Sequence, residues 1–353
     1  MSKQDNATLL DGVTATQDNG TTWYDIHGSF IEGKGWDDTA EPYHRLPDHA
    51  KMKVRDDIWD LSCHTAGFLV RFSTNSTAIS TRHTVLNTDL AMPHMPATGV
   101  SGLDLYMLNN GHWCWLGVVR PASSPQIVAQ PAAGLPAQER SYMLYLPLYN
   151  GVTSLEIGVD AQATFTLLSP STQPPVVYYG SSIAQGGCAS RPGMAFTAIL
   201  GRRLNRPMIN LGFSGNALME IEIAELLAEL NPVMYVIDSV PNMTADLINE
   251  RAETFIRYLR SARPTTPIVL VQERHQANEL LLPDTVTARV AARKAFHNTF
   301  EKLLSEGMTD LYYVPGDHLI GDDFEATVDG SHPSDLGMVR YADALEPILR
   351  GLL

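Results

Sequence analysis

At 353 residues the chain is long enough for two domains, each with a core of its own. Its apolar share of 44% and charged share of 18% are ordinary for a globular protein, and no apolar run approaches the length of a membrane span. A formal charge of −14 argues against nucleic acid or an anionic membrane as the main partner, and three cysteines, Cys63, Cys114 and Cys188, are too few for a disulfide framework and read as buried free thiols.

Residues 1–20 are rich in Asp, Asn and Thr and are expected to lie loosely on the surface. From Trp23 to about Leu168 the pattern is strand after strand, with little helical periodicity. Candidate strands run from Ala66 to Phe72, Thr77 to Leu86, Leu103 to Leu108, Trp113 to Val119, Ser141 to Leu148 and Ser154 to Val159. Turn residues such as Asn109-Asn110-Gly111 and Asn150-Gly151 separate them, and many short strands at this spacing predict an antiparallel sandwich. The proline-rich stretch from Ser169 to Pro175 reads as a linker, which gives domains over 1–172 and 176–353.

After the linker the pattern changes to five strand-then-helix units. Strands at 176–179, 208–211, 233–237, 268–271 and 311–314 lead to helices near 193–204, 217–230, 244–262, 286–306 and 335–350. Such alternation predicts a five-stranded parallel sheet with helices on both faces, and ligands in these folds bind at the carboxyl ends of the strands. Those ends collect the chemistry. Ser182 follows the first strand, Gly215 the second and Asn242 the third, Gln272-Glu273-Arg274-His275 the fourth, and Asp329-Gly330-Ser331-His332-Pro333 precedes the last helix.

Acyl transfer needs a nucleophile, a base beside it, a carboxylate that orients the base, and donors for an oxyanion. Each kind is present. Asp329 and His332 are three apart, so the carboxylate can reach one imidazole nitrogen and leave the other facing Ser182. The alternative is an Asx-type turn that caps the last helix beside a solvated histidine. Gly215 could simply open a helix, and Asn242 could cap the one that follows it. Arg191 could hold a substrate carboxylate or pair with an acidic neighbour; Glu273 and His275 read as structural or rim residues. Trp36, Trp113 and Trp115 could stack on sugars, though a sandwich core is the expected home of at least two. His112, Cys114, Cys63 and His64 lack close ligand spacing, so no metal is expected.

The blocks Gly180-Ser181-Ser182-Ile183, Asn210-Leu211-Gly212-Phe213-Ser214-Gly215, Asn242 and Asp329-Gly330-Ser331-His332-Pro333 resemble the SGNH (GDSL-type) serine hydrolases and esterases. Gly102-Leu103-Asp104-Leu105-Tyr106 is similar to the Gly-x-Asp-Leu-Tyr motif of an N-terminal domain that accompanies a bacterial branch of that family. The resemblance implies Ser182 as nucleophile, His332 as base and Asp329 as its orienter, with the N–H groups of Ser182 and Gly215 and the Asn242 side chain as oxyanion hole. Ser181 stands where the family usually has Asp, and Val240-Pro241-Asn242-Met243 stands where it usually has Gly-x-Asn-Asp.

The fold implied is α/β: a jelly-roll-like antiparallel β-sandwich followed by a flavodoxin-like three-layer α/β/α SGNH domain with a five-stranded parallel sheet. The function implied is a serine esterase that needs no cofactor and removes small acyl groups, above all acetyl, from a carbohydrate. A lipid ester or thioester hydrolase is the alternative within the class, and a catalytically silent carbohydrate-binding protein the alternative outside it. The partner expected is a small-molecule or glycan ester, with no nucleic acid and no membrane insertion. Residues 1–8 lack the apolar stretch of a signal peptide, and bacterial cytoplasm and periplasm both stay open.

Overall fold

The computed structural model describes residues 13–276, 279 and 282–353; most of the segment expected to lie loosely on the surface, residues 1–12, falls outside them. By internal packing the chain forms two compact units. The first comprises residues up to Arg45, Cys63–Thr172 and Arg191–Gly193; the second comprises Leu46–Ser62, Gln173–Ser190 and Met194–Leu353. The chain changes unit between Thr172 and Gln173, inside the proline-rich stretch. Residues 46–62 group with the second unit, which no sequence pattern announces.

The strands of the first unit, in chain order, are β1 (Ala15–Asp18), β2 (Thr21–Asp25), β3 (Ile31–Glu32), β4 (Leu69–Thr74), β5 (Ala78–Val85), β6 (Asp104–Asn109), β7 (His112–Val118), β8 (Gln126–Ala133), β9 (Arg140–Tyr145), β10 (Val152–Asp160) and β11 (Phe165–Leu167). One antiparallel sheet has the order β1-β2-β10-β5-β8. The other has the order β11-β4-β9-β6-β7, with β3 paired to β4. β4 and β5 alternate buried and half-buried residues along their whole length, the period-2 pattern of strands with one face inward. Ile79 and Ile157 from one sheet pack in a single core with Phe72, Leu105, Tyr142 and Leu144 from the other. Phe72 stacks on Tyr142 and Phe165, each pair with ring centroids 5.4 Å apart.

β8 escapes the sequence reading because Pro131 and five alanines or glutamines break its strand signature. It lies at the end of its sheet, where a missing N–H is tolerated. The chain between Trp23 and Leu168 also holds two short helices where none were expected, α1 (Asp56–Ser62) and α2 (Ala97–Val100). Of the three tryptophans, Trp36 alone is fully buried, while Trp113 is half-buried and Trp115 is 50% exposed. The cysteines form no disulfide with one another, but only Cys188 is buried; Cys63 is half-buried and Cys114 exposed.

The second unit is built on β12 (Val176–Gly180), β13 (Met208–Gly212), β14 (Met234–Asp238), β15 (Ile268–Val271) and β16 (Leu311–Val314), all parallel, in the order β13-β12-β14-β15-β16. The first four are buried at every position, as near-continuous apolar runs covered on both faces must be, whereas edge strand β16 is partly exposed. The helices are α3 (Ser182–Gln185), α4 (Phe196–Leu204), α5 (Ile221–Glu229), α6 (Ala245–Ala262), α7 (Pro283–Ser305) and α8 (Asp335–Gly351). This order reverses direction between β12 and β14, and the crevice at such a switch point is where doubly wound folds bind ligands. Register fixes the geometry there: Gly180 pairs with both Gly212 and Asp238, so three strands end level with one another.

Candidate active site

Ser182 is the first residue of the one-turn helix α3, directly above the end of β12. Ser181 caps that turn, its side-chain oxygen accepting a hydrogen bond from Ile183 N at 3.3 Å. A serine hydroxyl therefore does the capping at the position where the related family usually places Asp. The turn is pressed against the neighbouring strand. A Cβ on Gly212 would lie 2.1 Å from Gln185 N and 2.6 Å from the Ala184 carbonyl carbon, so only glycine permits the approach. Asn210 completes the attachment, its amide donating to Ala184 O at 2.7 Å and to Thr197 Oγ1 at 3.0 Å. These contacts place the Ser182 hydroxyl at the switch point with only 7% of the residue exposed.

Ser182 Oγ lies 2.9 Å from His332 Nε2, and His332 Nδ1 lies 2.7 Å from Asp329 Oδ2. The other carboxylate oxygen, Asp329 Oδ1, accepts from Ser331 N at 2.9 Å and His332 N at 2.7 Å. Asp329 thus builds an Asx turn and orients the imidazole with the same side chain, so both readings of the Asp-x-x-His spacing hold. Helix α8 is not capped by it; Ser334 occupies the N-cap position. Burial works to raise the Asp329 carboxyl, but the hydrogen bonds from the His332 backbone and ring and from Ser331 N outweigh it and hold it down to about 2. A carboxylate ionised at neutral pH keeps the proton on Nδ1 and leaves the Nε2 lone pair for the serine hydroxyl.

The turn bearing His332 is fastened from several sides. Thr327 bridges Pro333, and Val328 N donates to His332 O at 2.9 Å. Cys188 N donates to Pro333 O at 2.9 Å, which ties the segment after Ser182 to the residue after His332. Burial, reinforced by the Asp329 charge, pushes the Cys188 thiol up to about 12 and leaves it a neutral packing group. Arg274, which the sequence places at the fourth strand end without assigning it a role, is 1% exposed and donates through Nη2 to Ser331 O and, at 3.2 Å, to Ser331 Oγ. Its contact lies 57 positions along the chain, so no local motif could have announced it. Behind it, Asp238 is fully buried and its Oδ2 accepts from the Tyr178 and Tyr341 hydroxyls, both at 2.8 Å. Burial raises the Asp238 carboxyl to about 6 against the pull of those hydroxyls and of the Arg274 charge.

The oxyanion candidates follow the strands on either side of β12. Gly215 is exposed and adopts φ +71°, with nothing within 4 Å of a built Cβ; conformation rather than space calls for glycine there. Asn242 closes a 3-10 turn that Pro241 helps to set. Its Oδ1 accepts from Ala217 N at 3.2 Å, so the amide's donor end is the one left to face a ligand. Helix α6 does not use Asn242 as its cap. Thr244 takes that position and accepts from Leu247 N at 3.3 Å.

Arg191 belongs to the first unit by its packing. Its guanidinium donates to the fully buried Asp104 at 2.7 Å and to the Tyr106 hydroxyl at 2.6 Å, and lies 5.0 Å from the Trp115 ring centroid. Asp104 also accepts from Gly193 N at 2.8 Å and Trp115 Nε1 at 2.9 Å. Burial pushes the Asp104 carboxyl up and the Arg191 charge opposes it. Of the two roles open to Arg191, the pairing with an acidic residue is the one present, and the Asp and Tyr of Gly-x-Asp-Leu-Tyr are its partners. Glu273 is buried beside Arg289 at 3.3 Å; His275 is exposed between Glu279 and Asp317, 3.2 Å from each.

The profile of the GDSL-like lipase/acylhydrolase family matches residues 173–350, and that of the N-terminal domain of SGNH-type esterases matches residues 21–165. The chain belongs to the GDSL-like lipase/acylhydrolase family. This hydrolase is similar to a solved GDSL-like lipase from Bacteroides ovatus, at 32% identity and a TM-score of 0.90 over 94% of this chain and 98% of that one. The salicylyl-acyltransferase SsfX3 of a tetracycline biosynthetic pathway aligns at 19% identity and a TM-score of 0.72, over 97% and 98% of the two chains. A family two carbohydrate esterase from Cellvibrio japonicus aligns at 13% identity and 0.57, over 94% and 98%. Both share the fold. No curated protein matches the chain. Family membership makes the protein a carboxylic ester hydrolase, with the N-terminal antiparallel sheets and C-terminal parallel sheet of its relatives.

Two substitutions test the support around the serine in this hydrolase. Asn242→Ala tests the expectation that this amide donates to the oxyanion: kcat should fall on the order of 10²–10³, about 3–4 kcal/mol, with KM little changed. Because Thr244 caps the helix, the melting temperature should hold; a lower melting point with unchanged kcat would remove Asn242 from the site. Arg274→Met deletes the grip on Ser331 and should lower kcat by about tenfold, roughly 1.4 kcal/mol, again with KM preserved. Arg274→Lys, which keeps the charge, should recover part of the loss. A Met variant that is destabilised yet fully active would show that Arg274 serves packing alone.

Proposed function

We propose that the protein hydrolyses carboxylic esters through an acyl-enzyme on Ser182. The single observation that carries this reading is the continuous hydrogen-bonded series from Ser182 Oγ through His332 to Asp329 at the switch point of the sheet. His332 Nε2 takes the hydroxyl proton as Oγ attacks the ester carbonyl, and Asp329 stabilises the imidazolium. The N–H groups of Ser182 and Gly215 and the Asn242 amide receive the charge on the carbonyl oxygen. His332 then passes its proton to the departing alcohol, and a water activated by the same nitrogen releases the acid. The same geometry speaks against a silent binding protein, which has no use for an aligned base.

For the substrate, an acetyl group on a sugar is the first reading. It draws on the likeness to carbohydrate esterases, which at 13% identity speaks for the fold. A specific feature favours the second reading, an ester with a longer hydrocarbon group. An apolar cavity of about 920 Å³ opens in the second unit over the ends of β15 and β16.

Hydrolysis of p-nitrophenyl acetate should be lost on the order of 10⁴-fold or more in Ser182→Ala and nearly as far in His332→Ala, with Asp329→Asn roughly a hundredfold milder than either. Activity of Ser182→Ala within tenfold of the parent would sink the nucleophile assignment.

A further inference from the structure

The cavity over β15 and β16 lies wholly within the second unit, and its volume falls within the about 300–1,000 Å³ of ligand pockets. Pro283, Val286 and Val290 from the start of α7 form one wall; Leu319, Ile320 and Phe324 from the loop after β16 form the other. Val290 and Phe324 are 49% and 51% exposed, more open apolar surface than scattered surface residues account for. The charged side chains on its rim are already engaged with one another. Arg293 grips Glu279 through two bonds of 2.9 and 3.0 Å, His275 meets Asp317 at 3.2 Å, and His318 meets Asp322 at 2.7 Å. Such a rim offers little to an ion or a sugar hydroxyl and leaves the apolar walls as the binding surface.

The loop wall is held in an unusual backbone. His318 and Phe324 adopt φ of +64°, a region that a bulky side chain rarely enters. Asp323, next to Phe324, is clamped by Arg340 through bonds of 2.6 and 2.7 Å. The wall also runs straight into the catalytic turn. Ala326 O accepts from Ser334 N, Thr327 Oγ1 accepts from Gly330 N at 3.1 Å, and Thr327 is two residues from Asp329. On the opposite side Arg293 Nη1 reaches Arg274 O at 3.4 Å, and Arg274 holds the carbonyl beside His332.

We propose that this cavity receives an extended hydrocarbon group of the ester substrate, seated between α7 and the 316–327 loop while the carbonyl lies at Ser182. The proposal rests on the ester-hydrolase reading above. A hydrocarbon could come from the acid or the alcohol half of the ester, and the assay has an arm for each. Acetate, butyrate and octanoate p-nitrophenyl esters vary the acyl side; ethyl and octyl acetate vary the alcohol side.

The eight-carbon substrate of at least one arm should show a kcat/KM at least tenfold above its short counterpart. Val286→Trp, which pushes a bulky ring into the cavity from its α7 wall, should erase that preference and leave p-nitrophenyl acetate hydrolysis within about twofold. Val290→Lys, at a half-exposed position that tolerates a polar group, should act in the same direction and guards against a misfolded Trp variant. Hydrolysis of short esters with no chain-length preference in either arm would overturn the cavity assignment and leave the esterase standing. So would a preference untouched by both variants. Failure of the parent enzyme on every ester would overturn both.

Discussion

A single methyl group on Gly212 would collide with the backbone of Gln185, and on that missing atom the rest of the site depends. The proposed nucleophile sits on a four-residue helix, too short to hold itself in place. It is fixed from outside, by direct contact with the end of β13 and by the Asn210 amide beneath it. Three strands end level at Gly180, Gly212 and Asp238, so the loops bearing Ser182, Gly215 and Asn242 start from one plane. The position of the serine relative to the proposed oxyanion donors follows from sheet register. Loop chemistry then needs to supply only the last few ångströms.

The proposed base arrives by a different route. His332 comes from the far end of the chain and is carried by a turn with no regular structure of its own. That turn is built by Asp329, closed by Thr327, tied to the nucleophile segment through Cys188 and gripped by the buried Arg274. Burying a guanidinium costs several kcal/mol unless its charge is met. Asp238 and Glu273 meet part of it here, and the carbonyl of Ser331 takes a donor. His332 and Asp329 are partly open to solvent, while Arg274 and Asp238 behind them are sealed away.

Much of this was legible in the chain because it is local. The strand, turn and helix around Ser182, the three-residue spacing of Asp329 and His332, and the alternation of strands and helices after 175 are short-range patterns. Hydrophobic periodicity and turn chemistry report such patterns directly. What stayed hidden is long-range. Arg274 acts on a residue 57 positions away, and Arg191 pairs with Asp104 across 87. Residues 46–62 leave the strand-rich half to pack with the second unit, and the helix within them was missed because seven residues give too short a period to count. β8 was missed because its edge position tolerates a composition that central strands do not. Asn242 shows the intermediate case. Its place was legible, but the cap reading fell to Thr244, two residues on, which only the hydrogen bonds reveal.

The nucleophile is tested most directly by covalent trapping. An active-site-directed fluorophosphonate loses fluoride to an attacking serine oxygen and leaves a stable phosphonyl ester. The intact protein should gain one such group per chain, its esterase activity should fall in proportion, and peptide fragmentation should place the adduct on Ser182 rather than on the adjacent Ser181. The Ser182→Ala protein should stay unlabelled under the same conditions. An adduct that abolishes activity from any other serine, or full activity in protein labelled to completion on Ser182, would contradict the assignment.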